Sequence, residues 1–144
     1  MSSQIEDTIR ESPLFKHLAD SQIDDLIDAS ALETHAEGDR IIEEDGPVHD
    51  LYIVLNGRVR VWTTGPKGEV DLKTMGPGAY FGEVSLMSGN EATATVEVKK
   101  GPAKLVAVDR DHLIDLLETD DKVRKMLQGV TLARAKDTIG KVFK

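Results

Sequence analysis

Apolar and polar positions divide the chain into three stretches with different periods. Residues 3–30 repeat at helical spacing, interrupted at Ser12-Pro13, with Leu14, Phe15 and Leu18 as apolar anchors. Asp20 or Ser21 is placed to cap a second helix in which Ile23, Leu26 and Ile27 share one face. From Leu32 to Val108 the pattern shortens to strands: Leu32–His35, Arg40–Glu43, Leu51–Leu55, Arg58–Trp62, Glu69–Thr74, Thr93–Val98 and Lys104–Val108. Ten of the twelve glycines fall between Gly38 and Gly101, mostly between those runs. Short strands at regular spacing with glycine turns predict a mainly β chain, an antiparallel β-roll or jelly-roll barrel with N- and C-terminal α-helices. The clearest local prediction is a hairpin over Leu51–Trp62, because Asn56-Gly57 separates two apolar runs. After the strands, Asp109 is placed to cap a helix with Leu113, Ile114, Leu116 and Leu117 on its buried face. Asp120 opens a last helix carrying Val123, Met126, Leu127, Val130, Ala133, Ile139 and Val142. Gly129 and Gly140 each weaken that helix by ~1 kcal/mol, and its stripe is not a coiled-coil heptad.

The 144 residues fit one domain, 1–144: helices over 1–30, the β-roll over 31–108 and further helices over 109–144. A hydrophobic fraction of 40% with 31% charged residues is ordinary for a globular chain. No apolar run approaches the ~18 residues of a membrane span, and the acidic start lacks a signal-peptide core. The absence of cysteine excludes disulfides and thiol chemistry. A cytoplasmic protein without membrane insertion is expected. The net charge of −8 is uneven: residues 121–144 carry seven Lys/Arg against two Asp, while residues 1–120 carry eleven Lys/Arg against twenty-four Asp/Glu. An acidic body argues against nucleic-acid binding. The basic 120–144 segment is either a solvated helix face or a contact for a protein effector or a second copy. No further DNA-binding module follows it, so the chain is not expected to act alone as a transcription factor.

Chemistry concentrates in Phe81-Gly82-Glu83-Val84-Ser85-Leu86-Met87-Ser88-Gly89-Asn90-Glu91-Ala92-Thr93-Ala94-Thr95-Val96. The stretch leaves a Gly76-Pro77-Gly78 turn, passes through one short helical turn, breaks at Gly89-Asn90 and resumes as a strand. Gly82 lets the backbone turn tightly enough for N–H groups from Gly82 to Ser85 to converge, which is the arrangement that binds phosphate. The stretch resembles the phosphate-binding cassette of the cyclic nucleotide-binding domain family. Phe81, Gly82, Glu83, Leu86, Thr93, Ala94, Thr95 and Val96 match it residue by residue. At the family's phosphate-binding arginine this chain has Ala92. The opening helical segment, Gly38-Asp39, Gly46-Pro47 and Asn56-Gly57 extend the resemblance over roughly residues 10 to 125.

The resemblance implies a cAMP- or cGMP-binding regulatory module whose hinge near Leu113–Leu117 and last helix move on ligand binding. It implies that N–H groups near Gly82, Val84 and Ser85 hold phosphate and that Glu83 accepts a hydrogen bond from the ribose 2′-hydroxyl. For Glu83 the plain alternative is complementarity to a helix N-terminus, ~0.3–1 kcal/mol. Thr93 stands where cGMP-selective members often carry a threonine for the guanine amino group, although threonine also simply suits a strand. Thr95 reads as structural. Val61 and Leu72 are either the apolar wall around the base or plain core. Losing the arginine predicts a ten- to thousandfold weaker cyclic nucleotide affinity, roughly 1.5–5 kcal/mol. Three outcomes follow: a substitute cation such as Lys73 or Lys99, an uncharged nucleoside-like ligand, or a degenerate domain that serves protein interaction. His17, His35, His49 and His112 have no metal-ligand spacing, and no nucleophile or triphosphate-binding motif occurs, so neither a metal nor enzymatic activity is expected.

Overall fold

The computed structural model describes residues 3–15, 18–82, 92–119, 121–122 and 124–125. The predicted helical opening is two helices, α1 (Ser3–Glu11) and α2 (Asp20–Asp28). They part at Ser12-Pro13, where the Ser12 N–H still donates to the carbonyls of Thr8 and Ile9 and Pro13 has no N–H to continue. The cap of α2 differs from expectation. Asp20 is already helical, and the preceding Ala19 N–H donates to Gln22 Oε1 at 2.9 Å. Helix α3 (Arg110–Thr119) starts as predicted: Asp109 Oδ2 accepts the N–H of His112 at 3.2 Å. Leu113 and Leu116 are buried beneath it. Most of the expected last helix lies outside the described residues.

Between the helices run β1 (Ser30–His35), β2 (Arg40–Ile42), β3 (Asp50–Gly65), β4 (Gly68–Met75), β5 (Tyr80–Phe81) and β6 (Thr95–Asp109). All pair antiparallel in the order β1-β6-β3-β4, with β2 on β6 and β5 on β3. The β-roll flanked by helices is therefore as the pattern predicts, but its connectivity is not. Leu51–Leu55 and Arg58–Trp62 do not form a hairpin. They are halves of the single strand β3, and both pair with β6, as Leu51 opposite Val108 and Val61 opposite Val96 show. The predicted runs Thr93–Val98, from Thr95 on, and Lys104–Val108 likewise fuse into β6. Asn56-Gly57 marks a bend: the register shifts on both sides of Asn56, and Gly57 has φ +85°. A Cβ on Gly57 would stand 2.8 Å from Ala103 Cα, so the glycine lets the two strands cross closely where both bend. The tight reversal lies further on, at Pro66-Lys67 between the paired Gly65 and Gly68.

Alternation along β3 feeds two cores. Leu51 and Ile53, with Val106 and Val108 of β6, pack under Ile9, Leu14, Phe15, Ile23, Leu26 and Leu113 of the helical layer. Tyr52, Val54, Val59 and Val61 face the interior of the roll with Leu72, Phe81, Ala92, Val96, Val98 and Leu105. The helices thus cover one face of the Leu51–Leu55 segment, and the other face belongs to the interior from which the candidate site is built.

Candidate functional site

The candidate site is entered from β5. Phe81 is buried on β5, paired with Tyr52, and the two rings stack at 5.1 Å between centroids. Gly82 follows with φ +100°, and a Cβ there would lie 2.8 Å from the Asp50 carbonyl oxygen. Position 82 therefore admits glycine alone without displacement. Glu83, Val84 and Ser85 lie outside the described residues, so the predicted N–H cluster and ribose contact carry no geometry.

The chain is described again at Ala92, which is buried at 4% exposure inside the roll. Its N–H donates to the Gly46 carbonyl and its carbonyl accepts the Asp45 N–H, both at 2.8 Å. Ala94 packs against the same interior cluster, which also contains Phe81, Val61 and Leu72. Five of the predicted site residues thus share one apolar interior. Thr93 does not join them: it is exposed, and its carbonyl lies 3.4 Å from Thr63 Oγ1. Leu72 sits where the β3–β4 register shifts, and Val61 pairs directly with Lys73. Lys73 and Lys99, the two candidate substitute cations, line one open cavity of about 260 Å³ beside Arg60, Asp71, Leu72 and Thr74.

Sequence reasoning missed a group next to this site. Glu43-Glu44-Asp45 reads as solvated surface, yet Glu44 is half-buried and its Oε1 accepts both Thr63 Oγ1–H at 2.7 Å and the Thr64 N–H at 2.9 Å. The Glu44 N–H donates to Thr95 Oγ1 at 3.0 Å. Thr63 and Thr95 are buried at 6% and 2% exposure, and this is where their hydroxyls are satisfied. The one available signal is two threonines at apolar-phase positions of strands, each of which needs a partner.

At the other end of the roll, Asp50 pairs opposite Asp109. Burial, followed by the charges of Glu33 and Asp109, raises the Asp50 pKa above the ordinary carboxylate value. Burial also raises the Tyr52 phenol, assisted by Glu33 and Asp50, so it remains protonated. His112 Nδ1 lies 2.9 Å from Asp109 Oδ2; that hydrogen bond raises the histidine pKa and lowers the carboxylate's. Among the described residues no group of three or more His, Asp or Glu side chains could hold a metal ion. No described helix is long and apolar enough to cross a membrane.

An antiparallel roll between helices, with an apolar interior and a glycine-only position directly after β5, defines a β-roll domain. The family model for the cyclic nucleotide-binding domain matches residues 32–120, more than half of the chain. The chain belongs to the cyclic nucleotide-binding domain family. It is 28% identical over 131 residues to mouse cGMP-dependent protein kinase 2, covering 90% of this chain and 17% of the kinase. The regulatory domain of Toxoplasma gondii PKA, solved with cAMP, superposes with a TM-score of 0.70 at 28% identity, over 77% of this chain and 42% of that one. The catabolite activator protein of Thermus thermophilus gives a TM-score of 0.73 at 28% identity, over 88% and 60%. The chain spans under a fifth of the kinase it matches.

Proposed function

We propose that the chain is a regulatory module that binds cAMP or cGMP inside the roll and transmits occupancy through its C-terminal helices, with no catalytic step of its own. The observation that carries this reading is Gly82, a glycine-only position that delivers the phosphate-binding stretch from β5 in a member of this family. In this reading 1–144 acts as one unit. The N–H groups of Gly82, Val84 and Ser85 take the phosphate, and Glu83 takes the ribose 2′-hydroxyl. Val61, Leu72, Phe81, Ala92 and Ala94 line the apolar surroundings of the ligand, and Thr93 is the candidate contact for a guanine amino group. Ligand binding shifts the population of α3 and the segment after it, and a cytoplasmic effector or second copy reads that shift through residues 120–144.

Alanine at position 92 supplies no cation to the phosphate, so affinity rests on backbone N–H groups, with Lys73 or Lys99 as candidate substitute cations. Isothermal titration of cAMP, cGMP and their uncharged nucleosides against the chain and an Ala92→Arg variant tests this. The expected result is measurable cyclic nucleotide binding by the unaltered chain, strengthened about ten- to a thousandfold by Ala92→Arg. Silence from both proteins would end the reading. Binding by the variant alone would transfer the chain to the interaction-domain class.

A further inference from the structure

We infer that Glu44 is the positioning residue of the arm Ala92-Thr93-Ala94, holding the far side of the candidate ligand site against β3. The inference rests on the proposed ligand reading for its consequence, but not for its geometry. Strand β6 starts at Thr95, so the three residues before it have no place in the sheet ladder. Their position is set by bonds to residues 44–46. The Glu44 N–H donates to Thr95 Oγ1, the Asp45 N–H donates to the Ala92 carbonyl, and the Ala92 N–H donates to the Gly46 carbonyl. Residues 44–46 must themselves be held, and the Glu44 carboxylate does this. It accepts the Thr63 hydroxyl at 2.7 Å and the Thr64 N–H at 2.9 Å, which fastens the loop to the end of β3.

Two features mark the arrangement as constrained. Asp45 stands at φ +67°, a left-handed conformation uncommon for residues other than glycine and one that aspartate adopts more readily than most. The Thr63 hydroxyl has one proton and two acceptors within reach, the Glu44 carboxylate at 2.7 Å and the Thr93 carbonyl at 3.4 Å. The shorter, charge-assisted bond takes the proton. Without Glu44 the buried hydroxyl turns to the Thr93 carbonyl and draws on the arm itself. Glu44 therefore acts at one remove: through its bonds to Thr63, Thr64 and Thr95 it sets where Ala92, Thr93 and Ala94 stand.

The test uses Glu44→Ala and Glu44→Gln in the full chain, with two readouts. Amide hydrogen exchange of Asp45 and Ala92, followed by NMR without ligand, reports the clasp itself. Glu44→Ala is expected to accelerate both amides relative to the buried amides of β3, and Glu44→Gln, whose carbonyl oxygen still accepts, to restore most of the protection. Titration with cAMP and cGMP reports the consequence: Glu44→Ala is expected to weaken binding about ten- to a hundredfold and Glu44→Gln only slightly. Unchanged exchange in Glu44→Ala overturns the positioning role. Changed exchange with unchanged affinity removes its link to the ligand. If neither the unaltered chain nor an Ala92→Arg variant binds a nucleotide, the ligand reading fails and the exchange data alone decide the role of Glu44. Should Glu44→Ala not fold, Thr63→Val, which removes the hydroxyl that the Glu44 carboxylate accepts, replaces it in both measurements.

Discussion

Gly82 and Gly38 both adopt left-handed backbone, at φ +100° and +89°, but a Cβ would meet the Asp50 carbonyl oxygen at 2.8 Å in the first and nothing within 4 Å in the second. An alanine at Gly38 suffers backbone strain alone, ~1–2 kcal/mol. At Gly82 a collision with main chain adds to it, and the sheet strand carrying Asp50 cannot yield cheaply. Gly82→Ala is therefore expected to lose at least ~1 kcal/mol more than Gly38→Ala in urea unfolding. Equal losses would show that the close approach to β3 does not constrain the turn. At this scale the packing of several residues was legible: Phe81, Ala92 and Ala94 share the apolar interior of the roll and Gly82 occupies a glycine-only position, because small residues and a Phe-Gly step have few alternative uses. Thr93 proved exposed, and Glu44 was invisible. Its bonds reach 19 positions forward to Thr63 and 51 to Thr95, and no local pattern encodes partners at such separations.

At the scale of elements, the outer side of the sheet is held by a cluster centred on Trp62. The Arg40 and Arg60 guanidinium groups lie 5.3 and 5.4 Å from its ring centroid, and its indole N–H donates to Glu97. Arg60 continues into β4 through Asp71 and Glu69, both at 2.6 Å. The ring is buried while the charges around it are exposed, as in Arg40, Glu69 and Asp71, or half-buried, as in Arg60 and Glu97, so the burial dominates. Trp62→Ala is expected to destabilise the chain by about 3–5 kcal/mol and Arg40→Ala by about 0.5–1 kcal/mol, measured by thermal or urea unfolding. A larger effect from the arginine would mean that charge, not area, holds β2 to the roll. Element reading from sequence located nearly every strand and misjudged how two were joined. Asn56-Gly57 between apolar runs satisfies the short-range requirements of a hairpin. What prevents one is β6, which offers an apolar partner of equal length to both halves of β3 at once. Gly65-Pro66-Lys67-Gly68, with a proline and no flanking apolar run on the β4 side, is the weaker signal and the actual reversal.

The whole molecule carries a pH signature centred on the start of α3. The His112 pKa is raised above 6.5 chiefly by its hydrogen bond to Asp109, so its stabilising contribution is complete below about pH 6.5 and fades as pH rises through the folded-state value. The Asp109 pKa is lowered below 3.8 chiefly by the same bond, so its contribution is present above that value and fades in stronger acid. Asp50 has the opposite sign for a carboxylate: raised above 3.8, it favours the folded state when protonated and gives up that preference as pH rises through its folded-state value. The difference in melting temperature between the chain and His112→Ala is therefore expected to be largest near pH 5–6 and to shrink toward pH 8. A difference that stays constant across that range would exclude the histidine charge as its source.

The crossing of β3 and β6 also sets the order in which the chain can acquire its shape. Asp50 pairs with Asp109 and Trp62 with Thr95, so the central ladder joins segments separated by between thirty-three and fifty-nine positions. Closing such loops precedes any reward from the pairing, which places the chain among slow folders, on the order of milliseconds to seconds. On the ribosome, the Leu51–Leu55 half of β3 emerges with both faces apolar, and β3 waits for some thirty further residues before the first of β6 can reach it. Until then β4 and β5 pair only with parts of β3, the edge that awaits β6 stays open, and its exposure to other chains, rather than the stability of the finished roll, limits the yield of folded protein.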